Sequence, residues 1–136
     1  MKNILVVLCL TLVFLNCKSD DDSQENSATL QGEWSLVNVS GRLAGVDDNF
    51  DTGVIVWSFD QETFTLTVTN TNTETVVYDG LPTGTYDYKV LTTDGVTSSL
   101  VIDDYDFSMI IDTLTRTTLL LDDGIVVDGF GVIFMR

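Results

Sequence analysis

From Leu30 onward, apolar and polar side chains alternate with a period of two along almost the whole chain. A period of two puts successive residues on opposite faces of a strand, whereas an amphipathic helix needs apolar residues three and four apart. No stretch after Leu30 sustains the helical spacing. Threonine, valine, isoleucine and aromatic residues dominate, and these suit a pleated surface. The chain is therefore expected to be all-β.

The alternation and the turn signals predict about eight strands. Trp34, Leu36 and Asn38 share one face of the first, and Ile55, Trp57 and Phe59 one face of the second. Phe64, Leu66 and Val68 share a face of the third, joined to the second by a tight turn at Asp60-Gln61-Glu62-Thr63. A polar stretch from Asn70 to Thr83, holding the single proline, Pro82, predicts a longer loop. Tyr86, Tyr88 and Val90 mark the fourth strand, and Thr93-Asp94-Gly95 turns it into a fifth at Leu100 and Ile102. Phe107, Met109 and Ile111 mark a sixth, and Leu114 to Leu121 a seventh. An eighth runs from Ile125 to Arg136, with Gly129 and Gly131 inside it, where a sheet can curl. Short hairpins favour a small antiparallel up-and-down β-barrel over a sandwich, since a Greek key needs long crossovers. The first and last strands must then pair and remove the sheet's edges.

Composition narrows the chemistry. In 136 residues there are 21 acids, 6 bases and no histidine, a formal charge of −15. Phosphate binding needs lysine and arginine clusters, so a nucleic-acid partner is excluded. Without histidine there is no histidine-based triad and no histidine-ligated zinc or haem. No activated nucleophile is evident, no cofactor is expected, and the chain does not read as an enzyme. Carboxylates are plentiful, and a pair across a cleft would suffice for a glycosidase, but nothing singles out such a pair. Acidic turns at Asp47, Asp48 and Asp51 are candidate calcium ligands, although aspartate is also a common turn former.

The first 27 residues read as an address. Lys2 is followed by an apolar run of twelve residues, Ile4 to Leu15, which suits a signal peptide and falls short of the roughly 20 residues of a spanning helix. Phe14-Leu15-Asn16-Cys17 resembles a bacterial lipobox, which implies cleavage after residue 16 and lipidation of Cys17. Several acyl tails on one residue give stable anchoring. Cys9 lies inside the apolar run, so the mature chain would keep no thiol for a disulfide. Lys18 to Ser27 is acidic and lacks apolar residues, as expected of a disordered tether, so residues 17–27 form the anchor and tether. Its Lys18-Ser19-Asp20-Asp21-Asp22 run resembles the export signal of Bacteroidota lipoproteins. That resemblance implies an outer-membrane location, lipid-anchored at the cell surface or otherwise on the periplasmic face.

Residues 28–136 are expected to form one domain, with 17 acids and 4 bases, a formal −13. Leu30-Gln31-Gly32-Glu33-Trp34 resembles the Gly-x-Trp opening strand of lipocalins and lipocalin-like domains. In that family the tryptophan closes the barrel floor against a late arginine, which implies a closing pair of Trp34 and Arg136. Gly45 to Phe50, Val56 to Phe59, Gly84 to Tyr88 and Asp128 to Gly131 are similar to segments of lipocalin-like lipoproteins of Flavobacteriia. The implied function is binding of a small hydrophobic or amphipathic molecule in or at the mouth of the barrel. Trp57, Phe59, Tyr86, Tyr88 and Phe130 are the candidate ligand-binding residues, because one face of each barrel strand lines the interior. The same side chains could instead simply fill the core. The alternative function is a surface module with a packed core that meets a protein or glycan through its exterior and loops.

Overall fold

The computed structural model describes residues 28–103, 105, 107–124 and 128–136. Residues 1–27, where the signal peptide, Cys17 and the tether are expected, lie outside the described residues. Nine strands form: β1 (Gly32–Gly41), β2 (Val46–Asn49), β3 (Ile55–Asp60), β4 (Thr65–Asn70), β5 (Gly84–Thr93), β6 (Thr97–Ile102), β7 (Phe107–Leu114), β8 (Thr118–Asp122) and β9 (Phe130–Met135). All pairings are antiparallel. From β3 to β9 each strand pairs with the next, and β9 pairs with β1. The sheet thus closes into an eight-stranded up-and-down barrel of β1 and β3–β9.

β2 is the additional strand. Asn38 of β1 faces Asn49 of β2 on one edge and Ile133 of β9 on the other. Ser35 likewise faces Val56 of β3 and Met135 of β9. β2 and β3 therefore lie end to end along the same edge of β1, separated by residues 50–54. The acidic run Val46-Asp47-Asp48-Asn49, whose alternation is masked by charge, was not legible as a strand.

Three further departures from the sequence pattern have local causes. A bulge at Val37 shifts the β1–β9 register between Leu36 and Asn38, so Val39, not Asn38, follows Trp34 and Leu36 into the core. Phe64 lies outside β4, with φ 55°, as the last residue of the β3–β4 turn, and is 58% exposed. Asp60 Oδ1 accepts from the backbone N–H of Glu62 and Thr63, which tightens that turn ahead of Phe64. Leu114 ends β7 and does not open β8. Thr115 Oγ1 accepts from the N–H of Thr117 and Thr118, and the Thr115 N–H donates to the Thr118 carbonyl, so Thr115-Arg116-Thr117 makes the turn. The last strand, β9, begins at Phe130, and Ile125 to Val127 of the expected strand lie outside the described residues.

The core fills the interior with one inward row per strand. Trp34, Leu36, Ile55, Trp57, Phe59, Leu66, Leu100, Ile102, Leu119, Leu121 and Phe134 are all fully buried, and no polar side chain among the described residues is. Trp34 and Trp57 face each other directly across β1 and β3. The Trp57 ring packs 4.9 Å from Phe134. Burial of large aromatic and branched side chains is the main stabilising term of such a barrel.

Candidate functional site

The two ends of the barrel differ. At one end lie the start of β1, the end of β9, and the β3–β4, β5–β6 and β7–β8 turns. We call this the N-terminal mouth. Here Arg136 reaches across the seam where the sheet closes. Its guanidinium lies over the Trp34 ring, 4.0 Å from the centroid. It donates from Nη1 to the Gln31 carbonyl at 2.6 Å, from Nε to the Arg116 carbonyl at 2.7 Å and from Nη2 to the Thr29 carbonyl at 3.4 Å. Trp34 Nε1 donates to the Leu30 carbonyl at 2.8 Å. Gly32 has φ 101°, and a Cβ there would sit 3.6 Å from Arg136 Nη1. The glycine two before the tryptophan thus serves a left-handed backbone position under the arginine.

Beside this seam the N-terminal mouth opens into an apolar cleft. β5 pairs with β4 only over Gly84–Asp87, but with β6 from Tyr88 to Thr93. The β5–β6 hairpin therefore projects past β4. Its tip is a three-residue turn, Asp94 to Val96, in which Asp94 and Gly95 have left-handed φ of 56° and 70° and the Val96 N–H donates to the Thr93 carbonyl. Val90 continues the inward row of Tyr86 and Tyr88, but it lies beyond β4 and is 41% exposed. Ser98 continues the inward row of Leu100 and Ile102, and Ile111 that of Phe107 and Met109. A bulge then shifts the β7–β8 register between Ile111 and Thr113, which aims Leu114 inward. Leu30, Gln61, Val90, Val96, Ser98, Ile111 and Leu114 enclose a cleft of about 340 Å³. A volume near 300–1,000 Å³ with an apolar lining and a few polar groups is the usual character of a small-molecule site.

The five aromatics singled out from the sequence all point inward and are buried. Trp57, Phe59 and Tyr88 form one chain of contacts, with centroids 6.2 Å apart for Trp57–Phe59 and 5.2 Å for Phe59–Tyr88. The Tyr88 hydroxyl and Trp57 Nε1 are buried without a hydrogen-bond partner among the described residues. Tyr86 donates to the Pro82 carbonyl at 2.7 Å. Phe130 lies toward the opposite end, stacked on Tyr78 at 5.1 Å, with the Arg42 guanidinium 4.9 Å from its ring. Burial raises the Tyr88 hydroxyl above its ordinary pKa, helped by the nearby Asp60 carboxylate. None of the five lines the apolar cleft, whose wall is aliphatic. Val90 was the signal: it belongs to the Tyr86–Tyr88 alternation, and only the length of β4 decides that it stands at an opening.

Asp47, Asp48 and Asp51 are not gathered onto one point. Asp47 accepts from Asn38 Nδ2 at 2.8 Å on the outward face of β2, whereas Asp48 is half-buried on the other face. Among the described residues no group of three or more carboxylates or thiols is placed to hold a metal ion.

The fold is thus a small closed β-barrel with a packed interior and one apolar mouth. No protein-family model matches the sequence, and no curated protein matches it. Among solved structures it is similar to a lipocalin-like protein from Bacteroides uniformis, at 16% identity and a TM-score of 0.49, over 79% of this chain and 97% of that one.

Proposed function

We propose that the protein is a lipid-anchored envelope lipoprotein that binds a small hydrophobic or amphipathic molecule at the N-terminal mouth of its barrel. The observation that carries the binding proposal is the apolar cleft between Leu30, Val90, Ile111 and Leu114. Apolar surface held open to water at a cleft gains free energy when a ligand covers it. Gln61 and Ser98 at the cleft supply hydrogen-bonding groups for a polar end. Tyr88 lies one inward position before Val90 along β5, in the packed interior behind the cleft. Anchoring is proposed from the sequence: the apolar leader, Cys17 and the acidic tether.

Native mass spectrometry of the full-length chain with added fatty acids and lysolipids tests the binding. One-to-one adducts that disappear in Val90→Asp are expected. Adducts that survive this substitution, or none at all, would remove the cleft as the site. Metabolic labelling with a palmitate analogue, present in the parent and absent in Cys17→Ser, tests the anchor separately. A second function, a surface interaction module, is favoured by an unpaired sheet edge at β2.

A further inference from the structure

Outside the closed barrel, β2 carries an open strand edge. β2 pairs with β1 on one side, and among the described residues no strand lies on its other side. The N–H of Phe50 donates to the Val37 carbonyl across that pairing at 3.0 Å. Backbone groups alternate in direction along a strand, so Val46 and Asp48 share the inward direction of Phe50, and the N–H and C=O of Asp47 and Asn49 point outward. Neither residue's outward backbone is bonded to any described residue.

The edge faces a groove. Segment 71–77 runs opposite it, and two clefts in succession, of about 410 and 570 Å³, separate the two walls. The split has a local cause. The ladder between β3 and β4 ends at Ile55 and Asn70, with one more bond from Thr71 N–H to the Val54 carbonyl. Beyond it the asparagine side chains take the backbone donors: Asn70 Oδ1 accepts from Asn72 N–H, and Asn72 Oδ1 from Glu74 N–H. Such local bonds replace a strand ladder. The walls carry the carboxylates of Asp47, Asp48, Asp51 and Glu74 and no basic side chain, together with apolar surface from Phe50 and Val77, which is 63% exposed.

We propose that this edge is a docking site for an extended basic segment of a partner protein, which adds as a strand alongside Val46–Asn49. Main-chain bonds to Asp47 and Asn49 supply affinity, alternate apolar side chains enter the groove, and lysine or arginine side chains meet the carboxylates. A second copy of this chain suits the edge poorly, because it would bring the same carboxylates face to face. The proposal deepens the surface-module reading and does not depend on the N-terminal mouth.

The probe is a capped Lys-Val-Lys-Val-Lys-Val peptide, titrated into the ¹⁵N-labelled full-length chain at low salt. The amide signals of Asp47 and Asn49 are expected to shift, and their hydrogen exchange to slow at least tenfold. Methylating alternate peptide nitrogens, which removes the strand donors and keeps the charge, is expected to weaken binding at least tenfold. Asp47→Lys is expected to do the same, and Asp51→Lys, outside any strand, serves if that variant does not fold. Equal binding of the methylated peptide would reduce the site to bulk charge and overturn the proposal. So would unprotected Asp47 and Asn49 amides, or edge protection that sedimentation traces to self-association without peptide. A small-molecule adduct lost in Val90→Asp leaves these outcomes unaffected, so the two sites fail separately.

Discussion

Arg136 makes three kinds of contact from one side chain: it covers the Trp34 ring, donates to carbonyls of the segment before β1, and donates to the β7–β8 turn. A cation over an indole contributes about 0.5–2 kcal/mol, and hydrogen bonds from a charged group add to it. Arg136→Ala is expected to destabilise the barrel by about 2 kcal/mol in chemical denaturation. Arg136→Lys should recover less than half of that, because an ammonium cannot present a planar fork to three carbonyls. Trp34→Ala, which empties a fully buried site, should cost about 3–5 kcal/mol. Phe64 is the opposite case. It holds φ 55° with most of its ring in water, and a left-handed conformation costs a non-glycine residue about 1–2 kcal/mol. The ring meets Tyr88 only at 6.1 Å between centroids, so relief of strain dominates and Phe64→Asn is expected to raise the melting temperature; an unchanged or lower value in thermal denaturation would contradict this.

At the scale of elements, the mouth is made by unequal strand lengths. β5 and β6 outrun β4, and the β7 bulge supplies Leu114. Val90 is half in water, so Val90→Asp should leave stability within about 0.5 kcal/mol while removing ligand uptake. Leu114→Asp should also remove uptake, with a larger loss of stability, because Leu114 packs on the core. Most strand cores were legible in the alternation: Ile55-Trp57-Phe59, Leu66-Val68, Tyr86-Tyr88 and Leu100-Ile102 all face inward. The failures share one cause. Bulges at Val37 and in β7 insert a residue and reverse the phase, and nothing in a period-two pattern announces an insertion. β2 was hidden because Asp47 and Asp48 look like turn residues until β1 lies beside them to pair with.

Over the whole molecule, charge and burial set the response to solution conditions. The region from Ala28 to Arg136 carries 17 acids and 4 bases, and the one ion pair among the described residues joins Lys89 to Asp103. Uncompensated negative charge opposes compaction, so raising salt from about 10 mM to 0.5 M is expected to raise the melting temperature. Tyr78 is pushed well above its ordinary value of 10.0, first by burial and then by Asp123 and Asp79. The folded chain keeps this proton where the unfolded chain releases it, so stability falls as pH rises above about 10. The slope for one such group approaches 1.4 kcal/mol per pH unit. Tyr78→Phe should flatten that alkaline slope in pH-dependent denaturation, and an unchanged slope would contradict the assignment. Asp60 is held below the usual carboxylate range, foremost by the Glu62 N–H. Its contribution is present above pH 3.8 and is lost as pH falls through its lowered value.

Alternation, turn residues and the absence of histidine are local properties, and by themselves they determined an all-β chain of short hairpins without histidine chemistry. Whether the sheet closes depends on β9 meeting β1 about a hundred residues away, and whether aromatic side chains fill or line the interior depends on the space left between strands. Those are sums over the whole sheet. So are the two openings, the mouth beyond β4 and the unpaired edge of β2, because each arises where one strand stops before its neighbour. A strand's own residues specify which face it buries, but only its partner's length decides where that burial ends.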